Sequence, residues 1–370
     1  MLDEPLVVAI IVARLFIPLL IPRVPLVIFV VLVLDAADQT LLATYTDVDT
    51  SENGSYQSVD KALDIYYLSI AYLATLRNWK SHPAFRIARF LFYYRLVGVV
   101  AFELTEERAL LVIFPNTFEF FFIAYEVTRL RYDPGRVSGR SWLLTAAALW
   151  IFVKLPQEYW IHIAQLDFTD AVRDHPAFAV AVGVALVAAV LVLFFVVIPR
   201  LPAPAWNWRF AADPLPASFT EAHARYARRL EVGRVLTREA LEKVWLLALL
   251  CVIFTAILPG IDATVLQVVV GIAAIVLANA AISLAAARRG GFGLESAAAR
   301  YGALLIANLA LVYLASALLS QPHDFDLDYG LFFAFLITTI IWLYDAFRPV
   351  YDLRLGTHGA PERAGVAALA

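Results

Sequence analysis

TVLQVVVGIAAIVLANAAISLAAA, residues 264–287, contains no Asp, Glu, Lys or Arg. About 20 such residues form a helix that crosses roughly 30 Å of hydrocarbon, at about 1.5 Å per residue. AFAVAVGVALVAAVLVLFFVVIP, residues 177–199, reads the same way. Working outward from these two, further apolar runs fall at 5–22, 24–37, 61–76, 88–104, 109–128, 141–160, 244–259, 301–320 and 329–347. The pattern predicts an all-α fold, a polytopic transmembrane helix bundle of 10–11 spans. The count turns on whether Pro18, Pro22 and Pro25 divide 5–37 into two helices or kink a single one.

Composition points the same way. Hydrophobic residues make up 62% of the 370 and charged residues 16%, with mean hydropathy +0.74, where a soluble domain carries about 25% charged residues. A net charge of -3 argues against a strongly basic nucleic-acid binder. The single cysteine, Cys251, excludes an intrachain disulfide and a cysteine metal cluster. Asp3 and Glu4 stand where a signal peptide has its positive region, so the first apolar run is read as retained. Walker, GxGxxG, HExxH and Gly-x-Ser-x-Gly patterns do not occur, which leaves nucleotide-driven transport and the common hydrolase routes without support.

Cations and acids alternate from loop to loop. The cationic loops hold Arg77, Lys80, Arg86 and Arg89; Arg129, Arg131, Arg136 and Arg140; eight cations from Arg200 to Lys243; Arg288, Arg289 and Arg300; and Arg348, Arg354 and Arg363, together 22 of 29. The intervening loops are acidic, with Asp47, Asp49, Glu52, Glu106, Glu107, Asp167, Asp170, Asp174 and Asp262 among their residues. Lysine and arginine resist translocation, so the acidic loops are expected outside and the C-terminus in the cytoplasm of a bacterial inner membrane.

Four regions follow: a bundle of 6–7 spans at 1–199, a cytoplasmic basic and amphipathic linker at 200–243, a four-span bundle at 244–347, and a disordered cytoplasmic tail at 348–370. Within the linker, Ser218 and Glu221 fit a capping box. Its cations Arg225, Arg228, Arg229 and Arg234 suit anionic lipid headgroups, the partner expected besides the bilayer itself. Asn279 and Ser283, beside small alanines, suit close helix packing.

Ionisable groups at membrane depth are costly, which makes them the candidate site residues. Arg95 and Glu119 fall at matching depths of adjacent spans, with Asn116 one turn from Glu119 and following Pro115. The expectation is an Arg95–Glu119 pair in a buried polar station. Asp35 and Asp38 are expected to end one helix, and Asp60 and Asp64 to begin the next. Their i, i+3 and i, i+4 spacings put each pair on one face, where four carboxylates can hold a divalent cation through oxygen ligands, the one cofactor the sequence suggests. Glu158 and His162 share a face at i, i+4 near Asp167, Asp170, Asp174 and His175 and can ligate a metal or exchange a proton. His323-Asp324-Phe325-Asp326-Leu327-Asp328 mimics the start of a calcium loop but lacks its glycine and closing glutamate.

Asp35-x-x-Asp38 with Asp60-x-x-x-Asp64 resembles the aspartate signature of CDP-alcohol phosphatidyltransferases. The chain departs from that pattern at Gln39, where the family has glycine, and lacks its Ala-Arg pair. Charge bias also puts these aspartates outside, whereas those enzymes work at the cytoplasmic face, so membership is not assigned.

Three functions are compatible with these features. The first is a transporter or permease with an acidic outer vestibule and a buried polar station. The second is a divalent-metal-dependent enzyme acting on a lipid-linked substrate at the outer leaflet. The third is a scaffold that recruits partners through 200–243.

Overall fold

Ile65 to Ala74 has no polar stripe, and every residue in it is buried. A helix apolar around its whole circumference must be covered on all sides. In the computed structural model this stretch belongs to α3 (Ser55–Asn78), which packs against α1 (Pro5–Phe16), α2 (Ile28–Tyr45), α4 (His82–Thr105), α6 (Thr117–Arg129), α9 (Arg238–Ile257) and α12 (Leu327–Arg354). Aromatic rings line the contacts. Tyr72 stacks on Phe92 at 4.3 Å, and Trp79 at the end of α3 stacks on Tyr125 of α6 at 3.8 Å.

The structure describes residues 4–46, 55–163, 203–216, 238–257, 265–288, 297–319 and 327–354, with scattered positions from 177 to 195 and Phe219. Most of the span expected at 177–199, the Ser218–Glu221 capping box, the cations Arg225, Arg228, Arg229 and Arg234, the acids Asp167, Asp170 and Asp174 with His175, the start of the His323–Asp328 loop and most of the tail lie outside the described residues. So do the side chains of His162, Asn279 and Ser283. All the regular structure is helical, with no strand among the described residues.

The ambiguous stretch 5–37 forms two helices. Pro18 and Pro25 each stand in a short 3-10 turn, Ile17–Leu20 and Pro25–Val27, and the chain reverses between them. Proline removes a donor and crowds the preceding turn, which here ends α1 and delays the start of α2. The second helix is longer than expected: α2 continues past 37 to Tyr45 because Leu42 is fully buried with Val7, Ile10, Tyr56 and Leu63.

Pro115 breaks a second element. The helix stops at α5 (Ala109–Ile113), and α6 starts at Thr117. The break rests directly on α4, because Gly98 has no side chain: a Cβ there would lie 2.1 Å from the Cβ of Phe114. Downstream, α7 (Gly139–Ala148) is capped by Ser138, which accepts from the Ser141 amide at 3.1 Å. The chain then widens into π-helical turns at Leu149–Lys154 and Tyr159–Ile163, on either side of the short α8 (Leu155–Glu158).

α10 (Val265–Arg288) and α11 (Ala297–Leu319) complete the second half. One apolar core runs through both halves, joining Leu246, Leu250, Ile337 and Tyr344 to Tyr72 and Phe92. α12 extends beyond 347 to Arg354 with Pro349 inside it. Arg348 holds this extension by pairing with Glu242 at 2.5 Å and Asp352 at 3.4 Å. Lys243 pairs with Asp345 at 2.7 Å. Among the described residues, two stretches are long and apolar enough to cross a membrane: Ala109–Arg129, counted across its break, and Asp328–Arg354.

Candidate functional site

Arg14, in the apolar helix α1, is 2% exposed, and its guanidinium meets four carboxylates. Nη1 donates to Asp38 and Asp60, and Nη2 donates to Asp35 and to Asp64. The planar fork of arginine has enough donors, suitably spread, to serve all four, which a lysine ammonium would not. Tyr56 adds a hydrogen bond to Asp38 at 2.7 Å. Because α2 runs on to Tyr45 and α3 begins more than a turn before Asp60, the aspartates lie within their helices, not at helix ends. Asp38 is 0% exposed, while the side chains of Asp35 and Asp64 keep an open edge.

Among the described residues, these four carboxylates crowd around one guanidinium in a mostly buried place. Such crowding favours a bound cation or shared protons, since isolated buried charge is strongly unfavourable. Oxygen atoms of Asp35, Asp60 and Asp64 lie within 4.8 Å of one another, close enough for a shared cation.

Asp60, Asp64 and Tyr67 are spaced i, i+4, i+7 on one face of α3. The Tyr67 hydroxyl donates to Glu119 Oε2 at 2.7 Å, and Asn116 Nδ2 donates to the same oxygen at 2.9 Å. Glu119 occupies the first turn of α6, where the helix dipole favours negative charge. The Asn116 amide, freed by the helix break, donates to Glu158 Oε1 at 3.2 Å, and Lys154 Nζ lies 3.8 Å from that oxygen. Lys154 also donates to Gln157 at 3.1 Å and sits 4.6 Å from the centre of the Phe120 ring. Both Lys154 and Glu158 are 5% exposed and stand at the borders of the π-helical turns. Such turns recur at functional sites because they re-aim side chains within a helix. Asn116 Oδ1 and Thr117 Oγ1 are buried here without a hydrogen-bond partner, so the broken end of α6 offers unused acceptor atoms.

The four aspartates therefore converge, with Arg14 at their centre. Glu119 and Asn116 meet, but Arg95 does not pair with Glu119. It donates to the Phe114 carbonyl at 3.0 Å, an acceptor left over by the Pro115 break, and Tyr67 takes the place expected for it. Glu158 joins the Asn116 station and not the aspartates. Arg14, Tyr67 and Lys154 are the functional candidates that sequence reasoning missed. Depth counting offered a signal for Arg14, since the turn near Pro22–Pro25 sets it roughly level with Asp35 on the returning helix. No known protein family matches the chain, and no curated protein or solved structure is significantly similar to it.

Proposed function

We propose that this chain is a polytopic membrane transporter of permease type, residing in a bacterial cytoplasmic membrane with its C-terminus inside, and that protons or a small cation move along its buried carboxylates. The observation that carries this reading is the Tyr67–Glu119 hydrogen bond. It joins the open-edged aspartate group around Arg14 to the closed station of Glu119, Asn116, Glu158 and Lys154 through one face of α3. Paired ionisable residues, a discontinuous helix and an unwound segment beside them are the features by which transporters hold coupling ions at mid-membrane.

The membrane reading draws on more than the two long apolar helices. Large apolar side chains point outward in both halves of the chain, with Val33 69%, Phe152 76%, Leu266 73% and Ile306 71% exposed. A soluble surface rarely spreads so much exposed apolar area, whereas lipid accommodates it. The clean alternation of cationic and acidic loops supports the orientation.

Proteoliposomes loaded with a pH-sensitive dye test the proposal. Under an imposed pH gradient and potassium diffusion potential, wild-type protein should acidify the lumen well above protein-free vesicles, and Glu119→Gln should cut that rate at least tenfold. Flux indistinguishable from protein-free vesicles, or unchanged by Glu119→Gln, contradicts proton movement through this station.

A second reading is favoured by the mutual approach of the Asp35, Asp60 and Asp64 oxygens, which suits a divalent cation in an enzyme acting on a lipid-linked substrate. Its mark is a stoichiometric Mg²⁺ or Mn²⁺ retained by wild type and lost in Asp60→Asn with Asp64→Asn. Arg14 weighs against it, since a guanidinium already engages the same three carboxylates.

A further inference from the structure

The cationic end of the molecule is bound together by the segment 203–216. Ala205 N and Arg209 N donate to the carbonyls of Arg131 and Leu130 at 2.9 and 3.0 Å, and Trp206 Nε1 donates to the Arg129 carbonyl at 3.0 Å. These bonds satisfy acceptors at and just past the end of α6, which a helix terminus leaves free. Four consecutive residues then reach four different parts of the fold. The Ala211 carbonyl accepts from Arg129 Nη1 at 2.9 Å, Ala212 N donates to the Arg23 carbonyl at 2.7 Å, Asp213 pairs with Lys80 at 2.5 Å, and the Pro214 carbonyl accepts from Arg354 Nη2 at 3.0 Å.

This strap gathers Lys80, Arg129, Arg131, Arg209 and Arg354 about few acids. Asp213 pairs with Lys80 and Arg209, and Glu126 accepts from Arg129 Nε at 2.6 Å and from Trp79 at 2.9 Å. Among the described residues, three guanidinium donors here remain unanswered: Arg129 Nη2, Arg131 Nε and Arg354 Nε are buried without an acceptor. Arg129 as a whole is only 2% exposed. The rim stays open, with the side chains of Lys80 and Arg209 49% and 48% exposed.

We infer that this layer binds a phosphate-bearing anion whose oxygens accept from Arg129, Arg131 and Arg354 beneath the strap. Tetrahedral phosphate oxygens suit several guanidinium forks at once, and charge-assisted bonds of this kind are the strong ones. The phosphate can belong to the headgroup of an anionic phospholipid or be free inorganic phosphate. Only the lipid source rests on the membrane reading.

The test uses the full chain purified in zwitterionic detergent, with thermal unfolding followed at constant ionic strength. Added phosphatidylglycerol, but not phosphatidylcholine, should raise Tm by several degrees if a headgroup is held, since a ligand that prefers the folded state stabilises it. Inorganic phosphate giving an equal rise over chloride assigns the site to the free ion. In either case the rise should fall by at least half in Arg354→Gln and, independently, in Arg131→Gln, but persist in Arg136→Gln, whose side chain is 82% exposed at the same end. The inference is overturned if neither probe shifts wild type, or if the shift survives both Arg354→Gln and Arg131→Gln. Should those variants fail to fold, native mass spectrometry of wild type decides: retained phosphatidylglycerol or phosphate upholds the site, and none retained overturns it.

Discussion

Replacing Arg14 by glutamine would strand four carboxylates that share one guanidinium. Removing one partner from a buried ion pair destabilises by about 3–5 kcal/mol, so Arg14→Gln should lose that much in denaturant unfolding in detergent. Adding Asp38→Asn should recover part of the loss, because one buried negative charge is removed with its counter-charge. A double variant as unstable as the sum of both single changes would show that the pair is not coupled. Glu119→Gln is expected to behave differently. Its amide oxygen can still accept from Tyr67 and Asn116, so stability should change by only about 1 kcal/mol while proton flux is lost. At this scale the sequence revealed the aspartate pairs and the Asn116–Glu119 contact through helical spacing. It concealed Arg14 and Lys154, single charges in apolar runs whose partners lie on other helices, and Tyr67, which resembles any buried aromatic.

Among the elements, the proposed transport route depends most on the break between α5 and α6. Gly98→Ala would force its new methyl into Phe114, whose Cβ would lie 2.1 Å away. Overpacking of this kind costs about 1–3 kcal/mol, and the variant should unfold earlier and also lose flux, because the break is pushed off α4. Pro115→Ala should act oppositely on stability, allowing helix to form across 114–116. Stability measured by thermal unfolding should hold or rise while flux falls, the usual exchange between stability and activity. A stable Pro115→Ala variant with wild-type flux would remove the break from the mechanism. Among the described residues, the helix positions themselves were legible from apolar runs and prolines. The ends were less so: α2 runs to Tyr45 on the strength of one buried leucine, Leu42, and α12 runs to Arg354 on ion pairs to Glu242 and Asp352. Both are long-range contacts that hydropathy does not register.

The whole molecule is tied at its cationic end by the strap, and Asp213 gives that tie a pH dependence. Burial alone would raise the Asp213 carboxyl, but the Lys80 hydrogen bond and the charges of Lys80, Arg129 and Arg354 outweigh it and hold the group below its ordinary range. A carboxyl lowered in the folded state adds stability that is complete above the unfolded value, about 3.9, and is lost as pH falls through the lower native value. The strap should therefore loosen in acid, seen as a change in Trp206 and Trp208 fluorescence, and Asp213→Asn should already be loosened at neutral pH with that acid transition missing. An acid transition unchanged in Asp213→Asn would assign it to another group.

Sidedness underlies the transporter reading, because it determines which end of the carboxylate route opens outward. Reporter fusions at Thr50, Phe85, Asp170 and Thr220 measure it directly. The predicted result is periplasmic reporter activity at Thr50 and Asp170 and cytoplasmic activity at Phe85 and Thr220. All four on one side, or the opposite alternation, would contradict it.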